Sequence, residues 1–164
     1  MDDIVTVGIC GFGTIGTGWA EVCSRNGYET IVLAKSESHL ARGFSRVETS
    51  TSRAIERGKM TSEDYRQLLD RIHGTIDIRD LRQCDIVIEA VTEHFDVKRA
   101  LLEALDSTCE SKTLLASATS SLSITQLASV TERPAQVIGL HPLNPVPIMT
   151  LLEIVPGEKT AKPV

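Results

Sequence analysis

His141 and Glu153, twelve residues apart, are the side chains of this sequence best suited to moving a proton. A carboxylate beside an imidazole holds one tautomer and stabilises the imidazolium, which suits a general base near neutral pH. Two further polar groups accompany them: Ser120 in Ser117-Ala118-Thr119-Ser120-Ser121, and Asn144 in His141-Pro142-Leu143-Asn144-Pro145. A second constellation, Gly11-Phe12-Gly13-Thr14-Ile15-Gly16, has the spacing G-x-G-x-x-G. Gly11 permits a tight turn, Gly13 lets backbone amides approach a diphosphate, and Gly16 allows close helix–strand packing. A helix starting there turns unpaired N–H groups and a partial positive charge towards phosphates. A base held beside a nicotinamide points to oxidation of an alcohol. The residues alone leave open a structural histidine at a proline-rich turn, with Glu153 merely exposed.

The glycine pattern carries weight only in context, and the neighbouring elements supply it. Residues 4–10 form a β-branched apolar run ending at glycine, residues 14–26 are helical in composition with a stop at Gly27, and residues 29–34 read as a second strand. This is a βαβ unit with an expected right-handed crossover. A helical hairpin is expected over residues 37–72, broken at Gly58-Lys59-Met60-Thr61 and restarted by Thr61 as cap with Asp64 three positions on. Strands are predicted at 74–78, within 84–91, at 113–116 and at 136–141, with helices at 94–107 and 124–130. The last apolar run, 148–155, lies too close to His141 for a parallel crossover, so it is predicted to return antiparallel. The expected fold is α/β: a doubly wound, Rossmann-type, mostly parallel sheet with an antiparallel edge strand and a protruding helical hairpin. Residues 1–157 are expected to make the dinucleotide-binding domain and 158–164 a polar linker stub.

In such a sheet, residues just past the carboxyl ends of strands face the ligand crevice. Ala90, Val91, Ser117 and Ala118 are therefore candidate cofactor contacts, with Phe12, Thr14 and Ile15 of the glycine segment. An acid about 20 residues beyond the glycines normally accepts hydrogen bonds from the adenosine ribose. Here Ala34-Lys35-Ser36 occupies that place. One reading is NAD lacking a ribose contact; the other is tolerance of NADP, with Lys35 attracting its extra phosphate. Reduced discrimination between the two is expected.

Composition narrows the class. The 164 residues include 17 basic and 22 acidic side chains for a net charge of −5, which gives no electrostatic footprint for nucleic acid. No apolar run approaches the roughly 20 residues needed to cross a bilayer. Cys10, Cys23, Cys84 and Cys109 form no CxxC or Cys/His ligand pattern, so no metal site and no disulfide framework is expected. A cytoplasmic protein with reduced thiols, without nucleic-acid or membrane partners, is the resulting expectation.

The segments GFGTIG, DIVIEAVTE, SATSSLSIT and IGLHPLNPVPIMTLLEIV, in that order, resemble the NAD-binding domain of the 3-hydroxyacyl-CoA dehydrogenase family from about Ile4 to Lys159. The resemblance implies hydride transfer between a 3-hydroxyacyl thioester and NAD, with His141 removing the hydroxyl proton and Glu153 orienting it. It makes Ser120 a substrate contact and places Asn144 near the reacting carbonyl. Glu93 and Lys98 then line the cofactor and substrate clefts, and the hairpin contacts the CoA moiety, with Arg53 and Lys59 as phosphate partners. Three departures stand out: Ala118 replaces a usual asparagine, Pro142-Leu143 a usual aromatic pair, and Ala34 the ribose-binding acid. A divergent substrate, such as a hydroxyacyl group on an acyl carrier protein in polyketide extender-unit synthesis, is one alternative, and a non-catalytic homologue is another. Family members also carry an all-helical second domain that forms a homodimer interface and completes the pocket.

Overall fold

The computed structural model describes residues 4–162 and 164, so residues 1–3 of the expected domain and Pro163 of the expected stub lie outside the described residues. Seven strands form one sheet: β1 (Thr6–Cys10), β2 (Glu29–Leu33), β3 (Ile72–Thr75), β4 (Ile86–Glu89), β5 (Leu114–Ser117), β6 (Val137–Pro142) and β7 (Leu152–Pro156). Their spatial order is β3-β2-β1-β4-β5-β6-β7, parallel throughout except for the antiparallel β6–β7 pair. The chain winds outwards from β1 to β3, then returns to β4 on the other side of β1. That reversal opens a crevice at the carboxyl ends of β1 and β4.

Strand periodicity splits the core into two layers. Ile86, Ile88 and Ala116 point to one face, against Trp19 and Ala20 of α1 (Thr14–Arg25), Leu40 and Val47 of α2 (Glu37–Glu56), and Leu68 of α3 (Ser62–Asp70). Val87 and Leu115 point to the other, against Leu102 and Leu105 of α4 (Phe95–Thr108) and Leu127 of α5 (Ile124–Ala128). With helices on both faces, β4 is buried at every residue, which explains its unbroken apolar reading.

The α2–α3 hairpin begins its second helix as the sequence predicts. The Asp64 N–H donates to the Thr61 hydroxyl at 3.1 Å while the Thr61 N–H donates to the Asp64 carboxylate at 2.9 Å. Its inner face is buried through Val47, Thr51, Met60 and Leu68, leaving Arg53, Arg57 and Lys59 exposed.

Two strands are displaced from expectation. β3 starts at Ile72, not Gly74, pairing Ile72 with Thr30, and it stops at Thr75. Ile76 is 53% exposed and Asp77 caps a short 3₁₀ turn by accepting from the Arg79 N–H at 2.9 Å, so the apolar run ends outside the sheet. The final strand spans Leu152–Pro156 instead of beginning at Ile148, because the Ile148 and Met149 N–H groups both turn back to the Pro145 carbonyl at 3.0 Å. Beyond it, the Ala161 N–H donates to the Ala135 carbonyl at 2.9 Å and the Thr160 hydroxyl to the Val137 carbonyl at 2.6 Å, which lays the tail along the sheet edge. No helix among the described residues is long and apolar enough to cross a membrane.

Candidate active site

The glycine turn lies at the crevice. Gly11 has φ +100°, a region that favours glycine, and a Cβ there would stand 2.7 Å from the Ala90 carbonyl. A Cβ at Gly16 would meet the Gly11 carbonyl at 1.8 Å, so α1 can pass this close to its own turn only without a side chain. Gly13 is different: a Cβ there would meet nothing within 4 Å. The protein itself leaves that space free, at the start of a 12-residue helix with no acid in its first turn. This fits the diphosphate of a dinucleotide. The adjoining cavity measures about 1080 Å³ and brings together Gly11, Phe12, Gly13, Ala34, Lys35, Ala90 and Val91 of the expected cofactor residues.

A smaller cavity of about 230 Å³ shares Ala90 and Val91 with the first and adds Ile15, Glu93, Lys98, Ala118, Ser120, His141 and Pro142. The expected base, Ser120 and the glycine helix therefore converge at the end of β4. His141 and Glu153 stand directly opposite each other in the β6–β7 register, and the His141 Nδ1 lies 2.6 Å from a Glu153 carboxylate oxygen. With Nδ1 engaged, Nε2 remains to exchange a proton. Thr14 starts the helix, exposed; Asn144 sits on an exposed loop and lines neither cavity.

Ser117 also lines neither. It is fully buried and donates to Glu89 at 2.6 Å, within a charged network that the sequence does not reveal. The Lys98 ammonium donates to both Glu89 oxygens at 2.7 and 2.9 Å, with both residues sealed from solvent, and the Val91 N–H donates to Glu89 at 2.7 Å. Lys98 also lies 3.2 Å from Glu93. The other Glu93 oxygen accepts from the Thr119 hydroxyl, from the Ser120 N–H at 3.1 Å and from the Ser121 N–H and hydroxyl at 3.3 and 3.0 Å. Burial would raise the Glu93 carboxyl, but the Thr119 hydroxyl and the Lys98 charge outweigh it and hold it at about 2. Ser120 is thus tied to the end of β4 through a single carboxylate.

Arg53 and Lys59 line a third hollow of about 500 Å³ together with Arg25, Arg46, Arg57, Pro145 and Pro147. Glu21 lies at its floor, 2% exposed, with one carboxylate oxygen unpartnered; burial raises it despite Ser50 and Arg25 beside it. Sequence reasoning missed Arg42, Arg46 and Arg57. The signal was available, since residues 42, 46, 53 and 57 fall on one face of a helix at spacings of four, seven and four.

Comparison with known proteins identifies the family. A family model described as the NAD binding domain of 3-hydroxyacyl-CoA dehydrogenase matches residues 6–164. A probable 3-hydroxybutyryl-CoA dehydrogenase of Deinococcus radiodurans is 39% identical over 154 residues, covering 94% of this chain and 55% of the relative. The 3-hydroxyadipyl-CoA dehydrogenase of Escherichia coli K12 is 38% identical, covering 98% of this chain and 34% of the relative. The crystal structure of the (S)-3-hydroxybutyryl-CoA dehydrogenase of Ralstonia eutropha superposes with a TM-score of 0.96 at 40% identity, over 98% of this chain and 57% of that one. The chain thus spans about half the length of the first of these curated relatives and a third of the second. The matched range takes in the glycine turn, the crevice and His141, and the chain belongs to the 3-hydroxyacyl-CoA dehydrogenase family as its NAD-binding domain.

Proposed function

We propose that this domain binds a nicotinamide dinucleotide on the glycine turn and interconverts a 3-hydroxyacyl thioester with its 3-oxoacyl form. One observation carries the reading: His141, held by Glu153 at 2.6 Å, lines a cavity that shares Ala90 and Val91 with the glycine-turn cavity. When bound, the nicotinamide supplies the hydride acceptor. In the oxidative direction His141 Nε2 takes the proton of the 3-hydroxyl group as the hydride leaves C3, and Glu153 stabilises the imidazolium that results. Ser120, which lines the same cavity as His141, contacts the thioester arm. In the reverse direction the same nitrogen returns the proton.

The thioester handle is coenzyme A. Its phosphates match the hollow lined by Arg25, Arg46, Arg53, Arg57 and Lys59, since planar guanidinium groups bind phosphate oxygens in pairs. The dinucleotide is NAD or NADP, because Ala34 sets no carboxylate against a ribose phosphate. The apolar side chains of Leu152 and Ile154 on one face of β7, 40% and 63% exposed, mark the surface a helical second domain covers, and with that domain the protein forms a homodimer. Four buried free cysteines suit a reducing compartment.

The test is acetoacetyl-CoA reduction, followed by loss of reduced nicotinamide absorbance, with the chain alone and with the helical domain supplied. Turnover on the CoA ester supports the reading. Turnover confined to acetoacetyl groups on an acyl carrier protein replaces the handle, and none on any thioester with either cofactor rejects catalysis.

A further inference from the structure

We propose that the β2–α2 corner of the large cavity is an anion subsite, built by Lys35, His39 and Arg42, that receives a phosphate on the 2′ oxygen of the adenosine ribose, so that this chain prefers NADP to NAD. The inference deepens the dinucleotide reading and rests on it.

The end of β2 is where a dinucleotide on such a turn brings its adenosine ribose. Ala34 offers only a buried methyl group there, and Lys35 follows it, exposed and lining the same cavity as His39 and Arg42. Helix α2 fixes where these groups stand. Phe12 of the glycine turn packs into the notch at Gly43, where a Cβ would come within 2.0 Å of its ring. The Arg46 guanidinium donates to the Phe12 carbonyl at 3.2 Å. Arg46 therefore marks the diphosphate end of the helix. Arg42 and His39 share its face, and Arg42 lies one turn, about 5.4 Å, nearer the helix start and the end of β2. His39 is steadied by Ser36, whose hydroxyl lies 2.8 Å from Nδ1, leaving Nε2 free of that contact.

The charge balance of the cavity points the same way. Lys35, Arg42 and Arg46 line it against one acid, Asp77. That carboxylate is occupied by the Arg79 guanidinium, whose Nε lies 3.0 and 2.9 Å from its two oxygens. Arginines four apart on one helix face repel each other. A dianionic phosphate relieves this repulsion and gains paired, charge-assisted hydrogen bonds. The ribose hydroxyls of NAD, by contrast, find no carboxylate at position 34.

Binding of NADPH and NADH to the 164-residue chain, followed by nicotinamide fluorescence, tests the proposal without turnover. NADPH is expected to bind more tightly than NADH. Arg42→Ala weakens NADPH by about tenfold or more while shifting NADH less than about threefold. Ala34→Asp reverses the preference, and adenosine 2′,5′-bisphosphate displaces NADPH better than adenosine 3′,5′-bisphosphate does. NADH binding as tightly as NADPH or more tightly, or an equal loss of both in Arg42→Ala, overturns the subsite and leaves the dinucleotide reading standing. Failure of both dinucleotides to bind overturns that reading and the subsite with it.

Discussion

Lys98 and Glu89, nine residues apart, form a salt bridge at 2.7 Å with side chains 1% and 0% exposed, directly beneath the cavity that holds His141. Two charges withdrawn this completely from water persist only because each oxygen of Glu89 has partners: Lys98 and the Val91 N–H on one, Lys98 and Ser117 on the other. Removing one partner leaves an uncompensated buried charge. Lys98→Met is expected to cost about 3–5 kcal/mol. In a domain of this size that lowers the thermal midpoint by roughly 6–20 °C. Calorimetry of the variant checks it, and an unchanged midpoint contradicts the structural role.

Glu93 gives the protein an acid-sensitive loop. Its carboxyl is held at about 2, well below the ordinary glutamate value of 4.5, so its contribution to stability is complete above about 4.5 and is lost as pH falls towards 2. Chemical denaturation across that window is expected to show stability falling with pH, with a shallower fall in Glu93→Gln. Asp85, lowered by the backbone N–H groups of Thr6 and Val5, supplies part of the remaining slope. An identical slope in wild type and variant contradicts the assignment.

The glycines of the turn separate binding from folding. Gly13→Ala places its methyl group in open space and is expected to leave stability within about 1 kcal/mol while sharply weakening dinucleotide binding. Gly16→Ala drives a methyl group to 1.8 Å from the Gly11 carbonyl and is expected to destabilise the domain by about 1–3 kcal/mol or more. Parallel unfolding and cofactor titrations distinguish them; equal effects on both properties in both variants contradict the division.

Burial pushes the thiols of Cys23 and Cys84 up to about 12, and those of Cys10 and Cys109 upward as well. A thiol-disulfide reagent at mildly alkaline pH is therefore expected to label none of the four until the protein unfolds, when all four react. Rapid labelling of the native protein contradicts this.

Much of the site is written in local patterns. The strand–glycine–helix succession at residues 6–25 specifies the turn because each glycine answers a nearby steric demand. The spacing of His141 and Glu153 specifies an antiparallel pair because no parallel crossover fits between them. The Lys98–Glu89–Ser117 network was not legible, since its members meet only after β4, α4 and β5 pack together. The bounds of β3 and β7 differ from expectation for a related reason: Ile76, Ile148 and Met149 are apolar yet exposed, so hydrophobicity alone misplaces the strand ends. The arginine stripe of α2 was readable at helical spacing, but its meaning depends on which cavities its two ends border.

The catalytic pair is tested most directly by His141→Gln, measured for NADH or NADPH binding and for acetoacetyl-CoA reduction beside the wild type. Because His141 acts on the proton and the glycine turn holds the dinucleotide, cofactor affinity is expected to stay within about twofold while turnover falls by about 10²–10⁴-fold. A variant that keeps most of the wild-type turnover contradicts the account.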